Sequence, residues 1–340
     1  MRITRNRENR GCEVRRRPLR SIALVGSAVL GAGGLFGVAL GSAGAATLNA
    51  WTSAGTLGTA RAGATATVLT NGGVLLAGGT TGTVSTDTLA TTAELYSLSS
   101  NAWTATASGA PVVANAVSAL LPNGNVLVAG GSAAGGTATN LAAIYDPTTN
   151  VWSAAAAMPS GDAVFGASAV TLQNGSILVV GGDTGTLTAP VPSALVSIYT
   201  PTTGAWTAMN TMATARAFLS ATLLGNGNVV VAGGQTVVSS TATVATTAEV
   251  YSPTQNTWSA AGALVTPRSN ARSALLPSGQ VLLVGGQNAA GTAISNAELY
   301  TPATNSWSAT GSLATARTNA VVTALPTGQV IAAGGSDGGS

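Results

Sequence analysis

Runs of four apolar residues recur along this chain, each closed by two glycines. They read VLLAGG at 74–79, VLVAGG at 126–131, ILVVGG at 177–182, VVVAGG at 229–234, VLLVGG at 281–286 and VIAAGG at 330–335. Ahead of each stands a second short run, such as Ala66–Leu69, across a polar pair such as Asn71-Gly72. Short apolar runs bounded by turn residues read as buried strands. Two of them across Asn-Gly read as a hairpin, and the expected turn is type I′, with positive φ at both central residues. A third strand, Ala93–Tyr96, and a fourth carrying Trp103 follow. Between their equivalents in the next unit lies Asp146–Asn150, where Pro147 fixes φ and Asp or Asn can bond its own backbone. No helix of useful length fits between these turns.

The unit repeats in fixed register. The first glycine of each pair falls at 78, 130, 181, 233, 285 and 334, at intervals of 52, 51, 52, 52 and 49 residues. Five units carry a tyrosine seven residues before a tryptophan: Tyr96/Trp103, Tyr145/Trp152, Tyr199/Trp206, Tyr251/Trp258 and Tyr300/Trp307. Compositional drift would not hold an aromatic pair in register across insertions elsewhere. A stacking unit of about 50 residues would.

Four-stranded units repeated radially make a β-propeller. The Gly-Gly after the second strand, with Tyr and Trp in the third and fourth, resembles the kelch repeat over residues 51–335. A WD40 pattern would want Gly-His and Trp-Asp pairs, and the chain has no histidine. The resemblance implies an all-β, six-bladed kelch-type β-propeller over 46–340. Five units are complete. The sixth begins near Thr318 and supplies two strands before Gly334-Gly335. Ala50-Trp51-Thr52 reads as an orphan fourth strand that would close the ring on the last blade and hide its edges. The missing third strand leaves two alternatives: a three-stranded sixth blade, or a polypeptide that is part of a longer one.

The recurrent residues read as architecture. The tryptophans would fill the gap between successive sheets near the rim, and each tyrosine would bury its ring while its hydroxyl finds a polar partner. The glycines would let the chain leave a strand in a conformation closed to other residues, with no side chain against the neighbouring blade. An aromatic sugar platform fits less well, because the aromatics recur identically in each unit. Arg61, Arg216, Arg268 and Arg317 stand at one repeat position, and Glu94, Glu249 and Glu298 at another. The second unit has Val113 and Ala143 at these places, the third Val164 and Ser197. Joint absence points to an ion pair within the blade, since a lone partly buried charge is costly.

Charge adds a leader to the picture. Eight of the 13 basic residues are arginines within the first 20 positions. Ile22–Leu40 is apolar and glycine-rich, and Ala43-Gly44-Ala45 offers a small-x-small cleavage site. That order reads as a secretory signal peptide over 1–45. Arg16-Arg17 faintly resembles a twin-arginine signal, and a retained anchor is the other alternative, since about 19 residues could just span a bilayer. The expectation is a cleaved, secreted, extracellular protein with no stable membrane insertion. From residue 46 onward there are five Arg, no Lys and eight acidic residues, a net −3, which argues against nucleic acid as a partner.

Composition also limits chemistry. Some kelch propellers are copper oxidases, and the resemblance would imply a centre of crosslinked Tyr and Cys, a second Tyr and two His. This chain has no His, and its one Cys, Cys12, lies in the leader. A His-based zinc site, a Ser–His–Asp triad and a Cys nucleophile are likewise beyond it. The non-repeated carboxylates Asp87, Asp162 and Asp183 leave glycoside hydrolysis open, if two stand within reach of each other. No EF-hand spacing appears. The segments after each Gly-Gly (80–92, 132–140, 183–193, 235–247 and 287–295) vary and are rich in Thr, Ser and Ala. Variable loops on one face of a rigid scaffold are the usual layout of a binding site. The expected function is therefore a non-enzymatic scaffold binding a protein or a neutral glycan through that face, with no catalytic, cofactor or metal residue assigned. The alternatives are a carboxylate-dependent glycan-processing enzyme and a structural wall or matrix protein.

Overall fold

The computed structural model describes residues 36–37, 52–81, 88–159, 161–186, 188–238, 241–325 and 328–337. Most of residues 1–45, the expected leader with Cys12, together with Trp51, expected to close the ring, and the carboxylate Asp87, lie outside them. Beside Trp51, Thr52–Ser53 pair antiparallel with Phe36–Gly37.

Five four-stranded antiparallel sheets follow one another along the chain. The first comprises Thr65–Val68, Val74–Ala77, Glu94–Ser97 and Ala102–Ala105, and each later blade repeats this meander. A sixth sheet has two strands among the described residues, Val321–Ala324 and Val330–Ala333. First strands of successive blades pack side by side around a common centre. Second strands are the most buried: Val74–Ala77, Val126–Ala129, Ile177–Val180 and Val229–Ala232 are buried at every position. Both faces of these strands meet protein, so their sequence is a continuous apolar run rather than an alternating one. The hydrophobic cores lie between consecutive blades. Leu75 and Ala77 of blade 1 share one with Val126 and Val128 of blade 2, and Val230 of blade 4 shares another with Val281 and Leu283 of blade 5.

The glycine pairs act at these seams. Gly233 and Gly234 take φ of 65° and 103°, and Gly234 N–H donates to the Arg268 carbonyl of the next blade at 2.8 Å. A Cβ on Gly233 would lie 2.4 Å from that carbonyl oxygen. Both halves of the expectation for these residues hold.

The aromatic pair is a cross-strand pair. Tyr251 stands directly opposite Trp258, with ring centroids 4.8 Å apart. The tyrosines are the buried members, while Trp103, Trp206 and Trp258 keep partial exposure. Indole N–H groups tie one blade to the one before: Trp206 donates to the Ala156 carbonyl at 2.8 Å and Trp258 to that of Asn210 at 2.8 Å. The tyrosine hydroxyl finds an asparagine side chain five residues on. Tyr145 donates to Asn150 Oδ1 at 2.9 Å and Tyr251 to Asn256 Oδ1 at 3.0 Å. These asparagines have φ of 55° and 52°, the left-handed region that Asn tolerates.

The turn expectation needs correction. Gly72 has φ of 81°, but Asn71 is not left-handed. Gly72 N–H donates to the Leu69 carbonyl at 2.9 Å, and Leu69 N–H to that of Gly73 at 2.8 Å. The loop is thus three residues long, a tight turn followed by a left-handed glycine, rather than the two-residue type I′. Asn71 Oδ1 accepts Gly73 N–H at 2.9 Å, and Asn123, Asn174 and Asn226 do the same for the residue two ahead. Asparagine is chosen here for its side-chain bond.

Candidate functional site: the mouth of the central channel

One residue at the start of each first strand takes the left-handed conformation: Gly63, Asn115, Gly166, Phe218, Asn270 and Asn319, with φ between 53° and 63°. Each stands at the same distance ahead of its glycine pair. The residue before it is locked in place by a two-way backbone bridge to the residue after Gly-Gly, as between Ala62 and Thr80 or Ser269 and Gln287. Successive members are joined head to tail. Asn115 N–H donates to Gly63 O at 2.8 Å, Gly166 to Asn115 at 2.9 Å, Phe218 to Gly166 at 2.7 Å, Asn270 to Phe218 at 2.8 Å and Asn319 to Asn270 at 3.0 Å. A belt of peptide hydrogen bonds therefore runs from the first blade to the sixth sheet.

The belt rims a cavity of about 620 Å³, lined by the beginnings of all six first strands together with Thr80 and Ser132. Because Thr80 and Ser132 directly follow Gly-Gly, this mouth opens on the face that carries the variable segments. Two of these rise as hairpins, Thr80–Thr81 with Thr88–Leu89 and Gln235–Val238 with Thr241–Val244. The opposite face carries the Asn-Gly and Tyr–Trp turns, where Gly72 lies against Leu98.

The walls are mostly small and uncharged, with amides of Asn115, Asn270 and Asn319 and hydroxyls of Ser118, Ser220 and Ser273. Several hydroxyls satisfy one another across blades: Ser118 bonds to Thr65 and Thr67, and Ser273 to Ser220 and Thr222. Among the described residues, Arg272 is the one ionisable side chain lining the cavity. It donates to the Ala271 carbonyl and to Asn319 Oδ1, both at 3.2 Å. It forms no ion pair among the described residues. Desolvation lowers its pKa, although the residue keeps partial exposure to the channel. Protein atoms surround the guanidinium while the open mouth still admits solvent.

Away from the channel, the arginines and glutamates meet as the repeat implied. Arg61 reaches Glu94 at 2.9 Å, Arg216 reaches Glu249 at 2.8 Å and Arg268 reaches Glu298 at 2.7 Å, all buried. Each guanidinium also binds the carbonyl of its blade's first glycine, as Arg216 Nη1 does with Gly233 O at 2.8 Å. Each carboxylate accepts two amides of the incoming segment, as Glu249 does from Ala213 and Thr214 at 2.7 and 3.1 Å. Burial lowers the pKa of Arg216 and Arg268, and the facing carboxylate opposes that shift. In blade 3, where both charges are absent, Asp162 enters and accepts the hydroxyl of Ser197. That contact absorbs one of the three candidate carboxylates into the scaffold.

Asp183 is fully buried. Its Oδ1 accepts the amides of Gly185 and Val191 at 2.8 and 2.9 Å, shaping the loop, and its Oδ2 has no hydrogen-bond partner among the described residues. Those residues hold no group of three or more His, Cys, Asp or Glu able to take a metal ion. Arg272 and Phe218 were not singled out from sequence. Their signal was available as a departure: Arg272 is the one arginine of residues 46–340 off the repeat position, and Phe218 occupies a place otherwise held by Gly or Asn.

Comparison with known proteins agrees with this geometry. Among solved structures, a fungal alcohol oxidase of the AA5 family in complex with copper superposes with a TM-score of 0.68 at 19% identity, over 85% of this chain and 61% of the oxidase. The chain thus spans 61% of that protein's length. YjhT superposes with a TM-score of 0.64 at 18% identity, over 84% of this chain and 97% of YjhT. At such identities the likeness is one of fold. No curated protein matches by sequence. The family model of the Attractin/LZTR1 β-propeller matches residues 47–293, and on that match, with the blades and seams above, the chain belongs to this family of kelch-type β-propellers.

Proposed function

We propose that the chain is an exported, non-enzymatic binding propeller. It recognises a protein or glycan partner, neutral over most of its surface, at the channel mouth and the loops around it. The observation that carries this reading is the cavity of about 620 Å³, open on the variable-loop face and walled by small residues with amides and hydroxyls among them. Pockets of a few hundred cubic ångströms with a few convergent polar groups are where small ligands and protruding partner groups bind. The belt and the glycine seams make that mouth rigid, so little ordering opposes binding. Export is supported by the Arg-rich, apolar, small-residue order of the first 45 positions.

The experiment is a glycan array and a cell-surface pull-down with the full chain. Two variants accompany it: one with the 235–244 hairpin replaced by a tight turn, one with Asn123 and Asn226 of the opposite face changed to serine. Capture should be lost with the first variant and kept with the second. The reverse would move the site to the other face, and turnover of a saccharide would overturn the non-enzymatic reading.

A further inference from the structure

We infer that one arc of the channel mouth, formed by Phe218, Asn270, Arg272 and Asn319, is a subsite for an acidic sugar. Arg272 takes the carboxylate of a uronic-acid residue, and Phe218 takes the apolar face of its ring. The inference rests on the reading of the mouth as the binding site and adds the chemistry of what enters it.

Arg272 has no architectural reason to be there. The equivalent places in the other blades hold Thr65, Val117, Ser168, Ser220 and Val321, and those blades pack without a charge. Three of the other four arginines in residues 46–340 are neutralised by buried glutamates, and Arg317 binds the Gly334 carbonyl at 2.8 Å. Arg272 lies in the channel wall with two hydrogen bonds for its five N–H donors. A desolvated cation without a counter-ion is unfavourable until an anion arrives. A planar guanidinium matches a carboxylate with two parallel bonds.

Phe218 is the second departure. A bulky residue at φ of 53° is a genuine outlier, and such strain gathers at functional sites. Its ring lies so close over Gly166 that a Cβ there would sit 2.5 Å away. Gly166 thus makes room for it. The two departures are neighbours. Asn270 N–H binds Phe218 O at 2.8 Å, Asn319 N–H binds Asn270 O at 3.0 Å, and Arg272 binds Asn319 Oδ1 at 3.2 Å. With its oxygen accepting from the arginine, the Asn319 amide nitrogen is the group of that side chain that would donate to a ligand hydroxyl.

Hydroxyls, amides, one aromatic face and one cation suit a sugar that bears a single carboxylate. A phosphate or sulfate cluster would call for more than one cation. The loops carry only Asp87 and Asp183 as charged residues and suit neutral sugars on either side of it.

The test is calorimetric titration of the full chain with the methyl glycosides of galacturonic, glucuronic and mannuronic acid, each beside its methyl ester, which has the same shape without the charge. A glutamate-rich peptide serves as the protein-derived anion. The variants are R272S and F218N, whose new residues already stand at equivalent places in other blades, and thermal unfolding checks that both fold. At least one uronate should bind about tenfold or more tighter than its ester. R272S should remove that difference, while F218N should weaken acid and ester alike. Equal binding of acid and ester, or R272S behaving as the parent, would overturn the subsite while leaving the mouth as the site. Arg272-dependent binding of the peptide with no uronate bound would overturn the sugar. If partner capture survives both R272S and loss of the 235–244 hairpin, the proposed function falls as well.

Discussion

Arg216 Nη2 and Glu249 Oε1 meet at 2.8 Å in the interior of the fourth blade, with the arginine fully buried and the glutamate nearly so. Their partners are backbone groups from three different segments, so the pair acts as an internal fastener. Removing one member leaves an unpaired buried charge. R216L or E249Q should therefore destabilise by about 3–5 kcal/mol. The double variant should lose much less than the sum, as read by denaturant melting. Additive losses would show that the two do not act as a pair.

The glycine seams allow a matched comparison. G233A places a Cβ 2.4 Å from the Arg268 carbonyl at a residue with φ of 65°. G279A has a similar φ of 82°, and its Cβ would meet nothing within 4 Å. The second change should cost about 1–2 kcal/mol from backbone strain alone. The first should cost clearly more, because two blades must part to make room.

The asparagine under each tyrosine separates two effects. Asn256 supplies both a left-handed backbone and an acceptor for Tyr251. N256G keeps the first and loses the second, as the third blade does naturally with Gly204. Because Asn256 Oδ1 also accepts Asn210 N–H at 2.9 Å, two hydrogen bonds go and the cost should be about 1–3 kcal/mol. N256A loses both and should cost more, measured by the same melting experiment.

The seams, the aromatic pairs and the Arg–Glu pairs were legible in sequence because architecture repeats, and repetition is visible without coordinates. The turn type was misread. Asn-Gly serves a two-residue and a three-residue loop equally well, and only the pairing of Leu69 with Gly73 tells them apart. The channel site was invisible for the opposite reason. Arg272 and Phe218 each occur once, and a single departure carries no periodicity. Asp162 was read as a candidate acid because its loop hid the empty slot beside Ser197 that it fills.

Stability should fall at alkaline pH. Burial raises the pKa of Tyr145, Tyr199, Tyr251 and Tyr300 above the ordinary 10.0. The folded state then holds protons that the unfolded state releases. Their stabilising contribution is complete below pH 10 and is lost as pH rises through the folded values. Thermal unfolding between pH 8 and about 11.5 should show the midpoint dropping only at the upper end. A Y145F variant should blunt the drop.

Export should remove the leader. Intact-mass measurement of the secreted product is expected to give a chain beginning after Ala45. A product that retains the first 40 residues would refute cleavage.

The belt of peptide bonds through Gly63, Asn115, Gly166, Phe218, Asn270 and Asn319 has a consequence for how such a protein can change its taste. Its links are main-chain atoms, so any residue able to adopt the left-handed turn can be exchanged without altering the spacing of the blades it joins. Blades cannot shear or breathe there without breaking a link. New selectivity therefore has to be written in side chains set on an arc of constant step, one letter per blade. Phe218 is such a letter, and Arg272 stands two residues beyond the belt residue Asn270.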